Sequence, residues 1–367
     1  GFRRLRKSPL RTSHPYGLGP MLDGLFFQSN FGIVVSACFR LVPKRPVQVA
    51  LSLSLRREAD LPQFIDALAD FKREGLIDSV THIANRARTK ATLEYGVARY
   101  LEEQCAYAPA RARAEADRAI ATVAPGEWAS LGAVTGTRAQ VRVRLAEIRQ
   151  RIGHLARVKV VTDSLLDIGY AVMHRLRFLP AARANAAAIA AIRPLHRLAL
   201  GVPTDAAIDN LLWKYGRPDL PAAQLDSSNC GLIFINPALP LDGAFVDAFV
   251  KQMKNTASEH GQELYITINI ETPTSLVAVI NLLFDRSDRT ATLKAQACAR
   301  ALLEEIHKLG LEVYRARSDM MAELVERDPC YWDTVHQLKS QLDPDGIIAP
   351  GRYDRTPTRS AEDGSQC

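Results

Sequence analysis

Val47-Gln-Val-Ala-Leu-Ser-Leu-Ser-Leu55 alternates Val, Ala, Ser and Leu with a period of two, as a half-buried strand does. Leu61-Pro-Gln-Phe-Ile-Asp-Ala-Leu-Ala-Asp-Phe71 follows at helical spacing and runs out near Gly75, a C-terminal glycine. Ser79 to Ala84 reads as the next strand. Thr89 to Cys105 reads as helix, and Ala108 to Ala124 is an Ala/Arg-rich stretch, either helix or surface excursion. Trp128 to Thr135, Ala139 to Ile152 and Val158 to Val161 then repeat strand, helix and strand. Two such passes predict a split βαβ arrangement, an antiparallel sheet covered on one face. The later residues repeat the content: helix over Gly243 to His260, strands over Leu264 to Ile270 and Ser275 to Phe284, and helix over Arg289 to Leu309. The expected class is α+β, with one sheet domain made of two similar, ferredoxin-like halves.

At 367 residues the chain is long enough for one large or two ordinary domains. The formal net charge of +7 is carried by Arg scattered along helical patterns, Arg111, Arg113, Arg118, Arg138, Arg142 and Arg144 among them. Aromatic residues are not interleaved with these cations as base stacking requires, so solvated helix faces are expected and nucleic acid is not. Six cysteines without a Cys-x-x-Cys imply a reduced, cytoplasmic chain with no structural metal. The longest apolar run, Leu276 to Phe284, contains Asn281 and is too short to span a bilayer, so no membrane partner is expected. The opening Gly1-Phe-Arg-Arg lacks an initiator Met, and a piece of a longer protein is expected.

Tyr16 to Val35 carries the densest turn chemistry, with Gly17, Gly19, Pro20 and Gly24, then the polar triplet Gln28-Ser29-Asn30, then Gly32. Ile33-Val34-Val35 is β-branched and reads as a buried strand, and Cys38 to Pro43 closes it. As a string, GxGPxxDGLFxQSNFGIVV resembles the flavin-domain signature of the vanillyl-alcohol oxidase / p-cresol methylhydroxylase family. Tyr314-Arg315 and Leu342-Asp-Pro-Asp-Gly-Ile-Ile-Ala-Pro-Gly-Arg352 resemble two further family motifs, in the same order. Gly201-Val-Pro-Thr-Asp, Trp213 and Cys230-Gly-Leu-Ile-Phe-Ile-Asn-Pro237 extend the resemblance to the middle of the chain.

The resemblance implies the end of an FAD-binding domain over 1–46, a substrate-binding cap over 47–330, and a return to the FAD domain with a tail over 331–367. It implies FAD bound near Gln28, Ser29, Asn30, Gly32, Ile33 and Val34. Arg352 would face the electron-rich edge of the flavin, where positive charge stabilises the reduced form. Tyr314 and Arg315 would hold a phenolate, since a phenol hydroxyl and a planar guanidinium both donate to one oxyanion. The region Thr272 to Asn281 contains neither His nor Tyr, so covalent flavin attachment through that strand pair is not expected. No His-Glu-x-x-His or hydrolase elbow competes with this reading, and His14 is taken as a loop residue.

The implied reaction is oxidation of a para-substituted phenol or related alcohol by hydride transfer to flavin N5. Oxygen or a cytochrome would accept the electrons, and a homo-oligomer is expected. A non-catalytic cap or assembly piece that binds no flavin, and a flavin oxidase of hydroxy acids or aliphatic alcohols, stand as the alternatives.

Overall fold

The computed structural model describes residues 7–14, 19–206, 214 and 222–354. Tyr16, Gly17 and Trp213, used in the sequence reading, lie outside them. The chain divides into two compact units, Arg45–Tyr314 and the pair of terminal segments Gly1–Lys44 with Arg315–Cys367. Residues 315–330 therefore cluster with the termini, ahead of residue 331, where the sequence reading starts the return.

The larger unit is built on an eight-stranded sheet. Its first half contains β1 (Val47–Leu55), α1 (Leu61–Arg73), β2 (Thr81–Asn85), α2 (Arg86–Cys105), α3 (Pro109–Val123), β3 (Trp128–Gly136), α4 (Arg138–Ile152) and β4 (Ala156–Val161). Next come α5 (Asp163–Arg175) and α6 (Pro180–Ala199), then the second half: β5 (Cys230–Ile235), β6 (Ala238–Pro240), α7 (Gly243–Glu259), β7 (Tyr265–Ile270), β8 (Ser275–Asp285) and α8 (Arg289–Lys308). The strand order is β4-β1-β3-β2-β7-β8-β5, with β6 also on β8, and every pairing is antiparallel. Each half is a split βαβ, and the two join where Thr81 to Ala84 of β2 runs against Ile270 to Thr267 of β7.

Alternation decides which face is buried. Leu51, Leu53, Leu55, Ile83, Val134, Ile266, Ile268, Leu276, Ala278 and Ile280 are inaccessible to solvent, whereas Ser52, Ser54 and His82 between them are not. On that side α1 supplies Phe64, Ile65, Leu68 and Phe71, and α7 supplies Val246, Phe249 and Met253, all buried. Gly243 starts α7 where a Cβ would come within 2.0 Å of the Pro62 carbonyl oxygen, so only glycine lets α7 meet α1 here. Its amide donates to Asp66 Oδ1 at 2.7 Å. The sheet is not bare on its other side, as the sequence reading expected. The start of α2, through Ala87 and Ala91, packs with Cys230, Leu232, Tyr265 and Leu283. The segment between β2 and β3 holds α2 and α3, which bury alanines against α6.

The terminal unit contains a 3-10 turn over Leu22–Phe26, a second over Ser318–Met320, α9 (Met321–Arg327) and α10 (Pro329–Leu342). Ile33-Val34-Val35 and the run to Pro43 are not a buried strand. Among the described residues they form no regular element, and Ile33, Val34 and Val35 are 79%, 64% and 92% exposed. β-branched side chains favour an extended backbone, but a strand also needs a neighbouring edge for its N–H and C=O groups. None of the described strands pairs with this run. Cys38, Cys105, Cys230, Cys298 and Cys330 are free thiols.

Candidate functional site

In the terminal unit, one buried cation organises the segments that the sequence singles out. Lys339, on the last turns of α10, is 3% exposed. An ammonium has three hydrogens to donate, and all three find acceptors. They are the Asn30 carbonyl at 2.5 Å, the Ile348 carbonyl at 3.0 Å and the Asp343 carboxylate, its helical neighbour one turn on. Asp343 in turn accepts from the amides of Ile347 at 3.1 Å and Ile348 at 2.8 Å. The Lys339 hydrogen bond above all, then the Ile348 amide, holds its carboxyl below the usual carboxylate range against the opposing effect of burial. The Leu342 to Arg352 motif is thus a loop wound around a satisfied ion pair.

That loop meets the opening segment a second time. Asn30 Nδ2 donates to the Ala349 carbonyl at 3.4 Å, while Asn30 Oδ1 is buried without a partner among the described residues. Arg352 Nη1 donates to Ser318 Oγ at 2.9 Å. The Tyr353 hydroxyl accepts from the Ala316 amide at 3.2 Å and donates toward Gln28 Oε1 at 3.4 Å. Gln28, Ala349 and Tyr353 have φ of 50°, 42° and 52°, so three of the four non-glycine residues with positive φ among those described lie in this cluster. Such backbone costs free energy and persists only where surrounding contacts enforce it, which is common in ligand sites.

The structure therefore brings together Gln28, Asn30 and Arg352. Ser29 makes a local turn, its hydroxyl donating to the Leu25 carbonyl at 2.5 Å. Gly32 sits where a Cβ would meet the Phe26 ring at 3.0 Å. Ile33 and Val34 leave the cluster for solvent. Lys339, Asp343 and Tyr353 were missed by the sequence reading. A Lys and an Asp four residues apart at a helix end, followed by Pro-Asp-Gly, were the available signal.

In the larger unit, residues 312–314 run beside 236–238. The Tyr314 amide donates to the Asn236 carbonyl at 3.0 Å, Val313 bridges Pro237, and the Ala238 amide donates to Glu312 at 3.1 Å. In strand order this short ladder takes the place in the second half that β4 holds in the first. Tyr314 is thereby fixed at the sheet edge, 39% exposed. The unit boundary falls between it and Arg315, which is also exposed. On the less covered face, His82 Nδ1 and Asn269 Oδ1 lie 2.8 Å apart across the junction of the two halves. Among the described residues no three His, Cys, Asp or Glu are grouped to hold a metal, and no helix is long and apolar enough to cross a membrane.

No protein-family model matches the chain. It is 25% identical over 361 residues to 1'-carboxy-chondrochloren decarboxylase of Chondromyces crocatus, covering 96% of this chain and 64% of that protein. It is 25% identical over 338 residues to the 4-cresol dehydrogenase [hydroxylating] flavoprotein subunit of Pseudomonas putida, covering 92% of this chain and 58% of that protein. The 4-ethylphenol oxidase of Gulosibacter chungangensis, solved as an isoeugenol complex, superposes with a TM-score of 0.72 at 20% identity over 98% of this chain and 63% of its own. The chain thus spans less than two thirds of the length of each. The 4-cresol dehydrogenase subunit, the 4-ethylphenol oxidase and p-cresol methylhydroxylase are proteins of the p-cresol methylhydroxylase family that the motifs around Asn30, Tyr314 and Arg352 resemble, and the chain carries their fold.

Proposed function

We propose that this chain is part of an FAD-dependent oxidoreductase that oxidises a para-substituted phenol or a related alcohol. The observation that carries the reading is the Lys339-centred cluster, in which two motifs from opposite ends of the chain, both resembling the family's flavin-binding segments, are held together. The residues fit such a group. Asn30 Oδ1 is a buried acceptor lacking a donor among the described residues, Arg352 is a permanent cation, and an isoalloxazine ring offers an N–H and carbonyl oxygens of matching character. In this reading residues 1–44 and 315–367 belong to the FAD-binding domain and residues 45–314 to the cap, and the flavin is not covalently attached through this chain.

FAD, when bound here, would supply the two-electron acceptor for the substrate's hydride. The chain's own residues do the rest. Tyr314 and Arg315 hold the substrate phenolate, a hydroxyl and a guanidinium donating to one oxygen, so that charge developing there meets preorganised donors. Arg352, held by Ser318, sets positive charge beside the cofactor. Lys339 and Asp343 position the loop that carries it.

The test is the visible spectrum of the purified protein, followed by acid precipitation. The proposal expects flavin absorbance in the native protein and free flavin in the acid supernatant. A colourless preparation that flavin does not restore would favour a non-catalytic cap or assembly role. A yellow pellet would overturn the non-covalent assignment.

A further inference from the structure

Three arginines, a tyrosine and a phenylalanine surround a cavity of about 430 Å³ at the ends of α2, α5 and α6, within the larger unit and remote in sequence from the cluster above. Gln104, Cys105, Tyr107, Arg175, Arg177, Phe178 and Arg183 line it. The volume lies in the range of small-molecule sites. No carboxylate is among the lining residues, and among the described residues none of the three arginines is in an ion pair, whereas Arg99, Arg118 and Arg193 on the neighbouring helices each are.

The cations are held in place. Arg177 Nη1 lies 3.3 Å from His174 Nε2 and donates to the His174 carbonyl at 3.1 Å. A guanidinium cannot accept a hydrogen bond, so Nε2 is the acceptor and the proton of a neutral imidazole sits on Nδ1. Nδ1 then donates to the hydroxyl of buried Tyr100 at 2.8 Å, and Tyr170 stacks on the imidazole with ring centres 5.3 Å apart. Arg183 donates to the Arg177 carbonyl at 3.3 Å and lies over the Tyr107 ring at 5.4 Å, and its Nε is buried without a partner among the described residues. Arg111 covers the same ring at 4.3 Å. Positive charge is concentrated at one concavity, and Phe178 is 71% exposed beside it.

We propose that this cavity binds a small polyanion, a phosphorylated or polycarboxylate metabolite, through Arg175, Arg177 and Arg183. The shared chemistry is an oxyanion group that accepts from planar guanidinium forks. Phosphoryl and carboxylate ligands are separated by the probes themselves.

The experiment titrates pyrophosphate and citrate into the intact protein at fixed ionic strength by calorimetry, and maps maleimide labelling of each cysteine by peptide mass spectrometry. Cys105 lines the cavity, and exposed Cys38 and Cys330 serve as references. Saturable one-site binding of at least one probe is expected, with labelling slowed at Cys105 only. The tighter probe identifies the ligand class. Arg175→Gln and Arg177→Gln, both on exposed side chains whose loss leaves the core intact, are each expected to weaken binding by about tenfold. The proposal is overturned if neither probe binds saturably, if both variants bind like the parent, or if Cys38 and Cys330 are slowed as much as Cys105.

Discussion

Lys339 and Asn30, 309 positions apart, are joined by a hydrogen bond from the ammonium to the backbone carbonyl. With the Asp343 carboxylate and the Ile348 carbonyl, Asn30 completes the set of acceptors for one buried cation. Lys339→Met keeps most of the volume but leaves a carboxylate and two carbonyls without their donor, the costly way to break a buried pair. The Ile347 and Ile348 amides are expected to lose protection in hydrogen exchange while the sheet strands keep theirs. Unchanged protection of both amides would contradict the organising role given to Lys339.

The same cluster sets a pH dependence. Asp343 has its folded-state pKa lowered, chiefly by Lys339. The stability it contributes is therefore complete above the ordinary carboxylate value of about 4 and is lost as pH falls through the lower folded value. Exchange protection of the Ile347 and Ile348 amides should persist through pH about 4 and collapse below it. Asp343→Asn should weaken that protection at neutral pH and flatten its acid dependence.

Gly32 offers a test that separates two reasons for a glycine. A Cβ there would lie 3.0 Å from the Phe26 ring. Gly32→Ala is expected to reduce flavin content, and Gly32→Ala with Phe26→Leu to restore it if the ring is the sole obstacle. Failure of the double variant to recover flavin in a folded protein would place the close approach at the cofactor itself.

Much of the larger unit was legible because its signals are local. The period-two run of Val47 to Leu55 and the helical spacing of Leu61 to Phe71 specify elements that the sheet then uses in that form. What escaped depends on partners distant in sequence. Ile33-Val34-Val35 has strand composition, yet composition cannot supply an edge to pair with. α5 went unread because its helix carries few buried residues, Leu166 alone among those described. At the candidate site, Asn30 and Arg352 were singled out through motif resemblance, and the structure brings them into one cluster. Lys339 is an ordinary helix-surface residue in sequence and becomes buried only when residues 30 and 348 close on it.

Asn281 tests the packing of the second half. It is fully buried on β8, opposite Tyr265 and Phe234, and neither atom of its amide group has a partner among the described residues. An unsatisfied buried polar group costs about 1 to 3 kcal/mol, so Asn281→Leu should raise stability in denaturant melts by up to that amount. A clear loss of stability would reveal a hydrogen-bond partner for the amide.

Tyr314 and Arg315 are proposed to hold a phenolate while a bound flavin is reduced. The most direct measurement is anaerobic flavin bleaching in the holoprotein, comparing a para-alkylphenol with its O-methyl ether, in the parent and in Arg315→Ala. Losing a charge-assisted hydrogen bond to the developing oxyanion should cost on the order of 2 to 4 kcal/mol. That slows bleaching by the phenol by about two to three orders of magnitude. Arg315→Lys should rescue only in part, because an ammonium lacks the planar fork. Rapid bleaching by the phenol, none by the ether, and a strong loss in Arg315→Ala are expected. Equal rates for phenol and ether, or an unchanged rate in Arg315→Ala, would contradict this role for the pair.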